Sequence, residues 1–177
     1  MAKVSLLTII FFCAIFCTGN IFALEGLMWP TPNRAFLDGA ALEKFIQPTA
    51  SGEILSGTFG CVRNNASRVH QGIDLFPLKR DAKGEPADPV FAVLPGTVVY
   101  TSNRPAYSTL GRYIIIEHKI DGLTFNSLYA HLARIDVTTG TAITAGQRIA
   151  LMGHSASDGI PADRAHLHLE FSLRLSD

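Results

Sequence analysis

Two histidines stand two residues apart late in the chain, in Ala165-His166-Leu167-His168-Leu169-Glu170-Phe171-Ser172-Leu173-Arg174-Leu175. Imidazole is both a metal ligand and a base near neutral pH, so such a pair on a rigid platform can hold a cation and move protons beside it. A second cluster, Val69-His70-Gln71-Gly72-Ile73-Asp74-Leu75, sets His70 and Asp74 four apart. That spacing is even, so an extended backbone turns both to one side. His70, Asp74 and one of the two later histidines make three N/O donors, the number a catalytic zinc takes while keeping one position for water. A third cluster, Leu128-Tyr129-Ala130-His131-Leu132, adds His131 at the end of an apolar run. Singly, a His-x-x-x-Asp is a common accident, and a lone His131 reads as a hydrogen-bonded core or rim side chain. Glu170 reads either as a partner of a ligand histidine or as a solvated carboxylate. Tyr129 reads as core packing or groove lining. His118 and His154 read as structural, with His154 a further candidate for the groove wall.

These side chains need a frame. In the last segment His166, His168, Glu170, Ser172 and Arg174 alternate with Leu167, Leu169, Phe171, Leu173 and Leu175. Period two marks a half-buried β-strand, its apolar face expected in the core. Pro89 to Tyr100 reads as two short strands bent at Pro95-Gly96. Arg112 to His118 is a strand rich in β-branched residues, and Asp121-Gly122 turns it into a returning strand, Thr124 to Leu132. Gln147 to Met152 is one more. Short strands broken by Gly and Pro predict a mainly β fold, an antiparallel sandwich or barrel-like sheet. Asp38 to Ile46 is expected as a short helix capped by Asp38 and ended by Pro48. Lys79 to Pro89 is expected as a solvated loop, the alternative being one wall of a groove.

Composition narrows the functions. Lys plus Arg and Asp plus Glu number 15 each, a formal net charge of zero, which argues against nucleic acid and anionic surfaces. Lys3, the apolar run Leu6 to Cys17 and Ala23 predict a secretory signal, residues 1–23, cut after Ala23. The run falls short of a membrane span and Thr18-Gly19-Asn20 interrupts it, so no stable membrane insertion is expected after cleavage. Phe16 is too large for the residue before a lipidated cysteine. Cys13 and Cys17 fall in this leader. Cys61 is then alone, without an internal disulfide, and is expected as a small buried residue in a turn or at a strand end, the alternative being a nucleophile or ligand.

Together, His70…Asp74, Tyr129-Ala130-His131 and His166-Leu167-His168 resemble, in that order, the motifs of the lysostaphin-type, or LytM-like, zinc metallopeptidases of bacterial peptidoglycan. The likeness extends from about Ser56 to Phe171 and takes in Ser56-Gly57-Thr58-Phe59-Gly60, Gly96-Thr97-Val98-Val99-Tyr100 and Ala145-Gly146-Gln147-Arg148-Ile149-Ala150. The resemblance implies an N-terminal lead-in segment, 24–55, and a peptidase domain, 56–177. It implies one Zn2+ per chain on His70, Asp74 and His168, with His131 and His166 catalytic. His166 is expected to take the proton of the attacking water, and His131 to stabilise the oxyanion or orient the water. The expected partner is a peptidoglycan peptide, the protein a monomer, exported to the periplasm or the cell exterior. Family members carry residues beyond the strand that ends here at Asp177, and the loop Ser155 to Ala165 is longer than usual for them. A catalytically inactive wall-binding relative or activator of another murein hydrolase is the alternative; such relatives have lost ligands, and here all five positions are filled. A biotinyl- or lipoyl-type carrier is excluded, because Lys119, the one lysine between the strands that resemble that fold, sits in an unsuitable Glu117-His118-Lys119-Ile120 setting.

Overall fold

A computed structural model describes residues 26–63 and 68–173. The leader with its cleavage position, Cys13, Cys17, Arg174 and Leu175 lie outside the described residues. The strands are β1 (Val62–Arg63), β2 (Arg68–Val69), β3 (Gly72–Leu75), β4 (Pro89–Phe91), β5 (Gly96–Ser102), β6 (Tyr113–Ile120), β7 (Leu123–Ala130), β8 (Arg134–Ile135), β9 (Ala142–Ile143), β10 (Arg148–Leu151) and β11 (Leu167–Leu173). They form a six-stranded sheet in the order β3-β11-β7-β6-β5-β9, a three-stranded sheet β4-β10-β8 and the pair β1-β2. Every pairing is antiparallel. The mainly β, antiparallel expectation holds.

The longest hairpin, β6-β7, turns on Asp121 and Gly122, both at positive φ. That geometry matches strand twist, and only short polar residues and glycine enter it readily. Between the two larger sheets lies one core. Val98, Ile114, Ile116, Tyr129 and Leu167 from the large sheet meet Val90, Ile149 and Ala150 from the small one, all essentially inaccessible to water. The Tyr129 hydroxyl, buried with its ring, accepts from the Val93 amide. Tyr129 is therefore core, and burial raises its pKa to about 12.

Three local expectations change. Residues 38–46 form no capped α-helix: a single 3-10 turn, Leu42–Lys44, follows Ala41 without a side-chain cap. Gly39 takes a left-handed φ of 71°, closing a separate turn on the Phe36 carbonyl and cutting Asp38 off from that start. The apolar face of β11 is core only at Leu167 and Leu169, while Phe171 and Leu173 are about half exposed. β3 pairs with Leu167 to Glu170 and stops, so the later residues have β7 alone beside them. They gather instead with Leu27, Leu123 and Phe125 around a surface groove. The Lys79 to Pro89 loop is pinned, not merely solvated. Asp88 is buried and accepts from the Lys79 amide, and Arg80 donates to the Ala162 and Asp163 carbonyls.

Residues 27–57 pack on the same body. Phe45 and Ile46 join the core, and Trp29, Phe36 and Phe45 stack together. Ile46 bridges Leu75, and the Gln47 amide donates to the Asp74 carbonyl. This stretch covers the outer edge of β3, which would otherwise offer unpaired backbone groups.

Candidate metal centre and its histidine pair

β11 is inserted between β3 and β7, and its register assembles the site. His168 lies opposite Asp74 on one side and Ala130 on the other. His131, one residue past Ala130, leaves β7 with a φ of 61°, a left-handed conformation that costs a non-glycine residue about 1 kcal/mol or more. Its amide donates to the Leu110 carbonyl and the next amide to Arg112, which hold the turn. Gly72 sits between His70 and Asp74, opposite Glu170. A Cβ there would collide with the Leu169 carbonyl oxygen and stand 3.0 Å from His168 Cε1.

His70, Asp74, His131, His166 and His168 are all buried and line one cavity of about 360 Å³. Three donor atoms converge. His70 Nε2 lies 3.1 Å from Asp74 Oδ1 and 3.1 Å from His168 Nδ1, and His168 Nδ1 lies 2.7 Å from Asp74 Oδ1. The far ring nitrogens fix the tautomers: His70 Nδ1 donates to the Thr58 carbonyl at 2.8 Å, and His168 Nε2 donates to Glu170 Oε1 at 2.7 Å. With those nitrogens donating, the facing ring nitrogens are left to turn lone pairs toward each other and toward a carboxylate. Three acceptors so placed repel unless a cation sits among them. Their separations approach the ~3.3 Å edge of a tetrahedron with ~2.0–2.1 Å bonds, so the set fits zinc.

Electrostatics agree. Burial opposes charge on Asp74, yet its contacts with His168 and His70 hold its carboxyl well below the usual range. Burial likewise lowers His168, but Asp74 and Glu170 outweigh it and raise it to about 9, so without metal a proton takes the cation's place. The other pair behaves oppositely. Burial lowers His131 to about 3, helped by the neighbouring His166. His166 is lowered by burial, against the pull of Asp74. Both are neutral near pH 7. His131 Nδ1 donates to the Ser155 carbonyl at 3.0 Å, His166 Nδ1 to the Arg164 carbonyl at 2.8 Å. Each therefore keeps an Nε2 lone pair for the cavity, that of His166 3.6 Å from Asp74 Oδ1. The two rings are 4.7 Å apart.

Glu170 is a partner of His168, the first of its two readings. His118 is structural, buried between the Pro95 carbonyl and the Ser127 hydroxyl, and its pKa is lowered by burial. His154 does not line this cavity; it clasps Glu85 and the Ile160 carbonyl beside a separate cleft. Its neighbour Ser155 does the positioning, since its carbonyl holds His131 and its hydroxyl accepts from the Arg112 amide and donates to Leu132. Arg63 was not foreseen. Its guanidinium donates to Asp74 Oδ2 at 3.1 Å and to the Ser56 carbonyl, which leaves Oδ1 facing His70 and His168. A lone arginine seven residues before a histidine carries no sequence signal. Cys61, directly before β1, is a free thiol and only half-buried, not the buried residue expected, because β1 lies in the outlying two-stranded pair.

A family model described as Peptidase family M23 matches residues 68–176. Among curated proteins, the chain is 38% identical over 86 residues to the peptidoglycan DD-endopeptidase ShyA of Vibrio cholerae, which is 49% of this chain and 18% of that protein. It is 34% identical over 116 residues to the lipoprotein NlpD/LppB homolog of Pseudomonas aeruginosa, 65% of this chain and 33% of that protein. The chain thus spans a third or less of these relatives. Among solved structures, a zinc-containing peptidase from Vibrio cholerae superposes with a TM-score of 0.51 at 26% identity, over 73% of this chain and 34% of that one. The catalytic domain of lysostaphin from Staphylococcus simulans shares the fold, with a TM-score of 0.51 at 24% identity over 68% and 80%.

Proposed function

The chain belongs to peptidase family M23, and from that premise we propose that it is an exported zinc metalloendopeptidase that hydrolyses peptide bonds in peptidoglycan cross-links or stem peptides. The observation that carries this reading is the division of the buried cluster into two halves. Three acceptors converge on a cation position, and two neutral imidazoles stand beside it with free Nε2 atoms. His70, Asp74 and His168 would hold one zinc ion per chain. Bound there, zinc supplies a Lewis acid that polarises a carbonyl and acidifies water toward a pKa of ~7.

The remaining chemistry belongs to the chain. His166 Nε2 takes the proton of the attacking water and returns it to the leaving amine. The Arg164 carbonyl fixes its tautomer, and Asp74 stabilises the imidazolium that forms. His131 in its neutral tautomer is an acceptor at Nε2, so it orients the attacking water. Proton transfer by a placed histidine is worth ~10²–10⁴-fold. Relatives described as lipoproteins or cell-wall enzymes support export to the periplasm or exterior. Among the described residues no helix is long and apolar enough to cross a membrane.

The test is zinc content and release of soluble fragments from purified peptidoglycan, beside His70→Ala. About one zinc per chain with hydrolysis, both lost in the variant, is the expected result. A folded parent that binds no zinc and releases nothing overturns the enzyme reading in favour of a wall-binding module.

A further inference from the structure

The cavity walls carry charge that the five buried residues do not use. Arg63 is committed to Asp74, and Glu170 to His168. Arg68 and Arg164 also line the cavity, and neither guanidinium has a hydrogen-bond or ion-pair partner among the described residues. Arg68 belongs to β2, two residues before His70. Arg164 ends a 3-10 turn, two residues before His166. The uncommitted cations therefore come to the cavity from two different elements, one two residues from His70 and the other two residues from His166. The one uncommitted carboxylate on the walls is Asp158, so these three groups leave a net charge of +1.

Resting on the peptidase reading, we propose that Arg68 and Arg164 form carboxylate subsites on either side of the scissile bond. The substrate class is then a peptide with free carboxylates next to that bond, as in cross-linked stem peptides, and not a neutral glycine bridge. A guanidinium presents a planar fork of N–H donors that matches a carboxylate with two parallel bonds. A glycine bridge offers only amides and would leave both guanidiniums unanswered. Arg164 also ties recognition to chemistry. Its carbonyl holds the His166 ring while the residue itself lines the cavity, so a carboxylate docked there would be placed against the proton-transfer group.

The test uses two cross-linked stem-peptide dimers, one with free carboxylates and one with carboxamides. Binding to the metal-free full chain is measured by calorimetry, and kcat/KM is measured on the zinc-loaded chain, with a pentaglycine-bridged peptide alongside. The free-acid dimer is expected to bind about tenfold or more tightly, a preference that weakens with salt. In R68Q/R164Q, checked for a native melting curve, the acid-to-amide ratio is expected to collapse toward one, and R164E is expected to invert it. Equal binding of both dimers, an undiminished ratio in the double variant, or faster cleavage of the pentaglycine peptide each overturns the proposal. Absent cleavage of every peptide by zinc-loaded protein counts against the peptidase reading, whereas an acid preference in binding would still uphold the subsites.

Discussion

Replacing Glu170 with Gln tests how zinc affinity is set. Gln keeps the length and an acceptor, so the change removes charge from a 2.7 Å bond to His168 Nε2. A hydrogen bond to a charged group is worth ~1.5–3 kcal/mol against ~0.5–1.5 for a neutral one. The Glu170 side chain is 20% exposed, so solvent screens it only partly. About 1–2 kcal/mol of ligand polarisation is lost, which weakens zinc ~5- to 30-fold, within the range known for such outer partners. A second effect opposes this. Glu170 also strengthens the proton on His168, whose pKa is raised to about 9, and zinc must displace that proton. The variant holds the proton less firmly. The loss should therefore be nearly full at pH 9 and shrink toward pH 7. Competition with a chromophoric chelator at both values measures it, with Glu170→Ala as the stronger case. Affinities within twofold of the parent at pH 9 for both variants would refute the reasoning and return Glu170 to a solvated carboxylate.

Gly72→Ala should lower the melting temperature of the metal-free protein by roughly 2–10 °C and weaken zinc, because overpacking costs ~1–3 kcal/mol and here drives β3 from β11. An unchanged melting curve would show that the strands part freely. His166→Ala and His131→Ala should each cut kcat by ~10²–10⁴-fold while retaining one zinc per chain, read by metal analysis and single-turnover hydrolysis; loss of zinc in either would move that residue among the ligands. Metal-free stability should fall on both sides of neutrality. His131 and His166 have folded pKa values below the ordinary 6.5, so their contribution is present above 6.5 and is lost as pH falls toward about 3. His168 is raised, so its contribution is present below 6.5 and is lost as pH rises through about 9. Zinc should abolish the alkaline loss, and melting temperatures from pH 4 to 10 with and without metal check it.

Much of this was legible before any coordinates. The alternation in β11 announced a strand and the face its histidines share, because period two is a local property of the backbone. The Asp121-Gly122 turn was equally local. The burial of that strand was not: Phe171 and Leu173 carry the right pattern yet lie exposed, because burial depends on where β3 stops. His154 attracted attention by residue type, while the positioning falls to Ser155, largely through a backbone carbonyl that any residue would supply. Arg63 acts through a contact across eleven residues and a turn, which no spacing rule encodes.

The register of β11 also governs timing. Asp74 and His168 are 94 positions apart, and β11 enters the sheet between two strands that precede it in the chain. Until residues 167–173 have been synthesised, β3 and β7 have no shared neighbour, and the cluster of His70, Asp74 and His168 cannot form. The site is completed in one event with the closing of the sheet, so under the proposed function the topology itself delays hydrolysis until the last strand is in place.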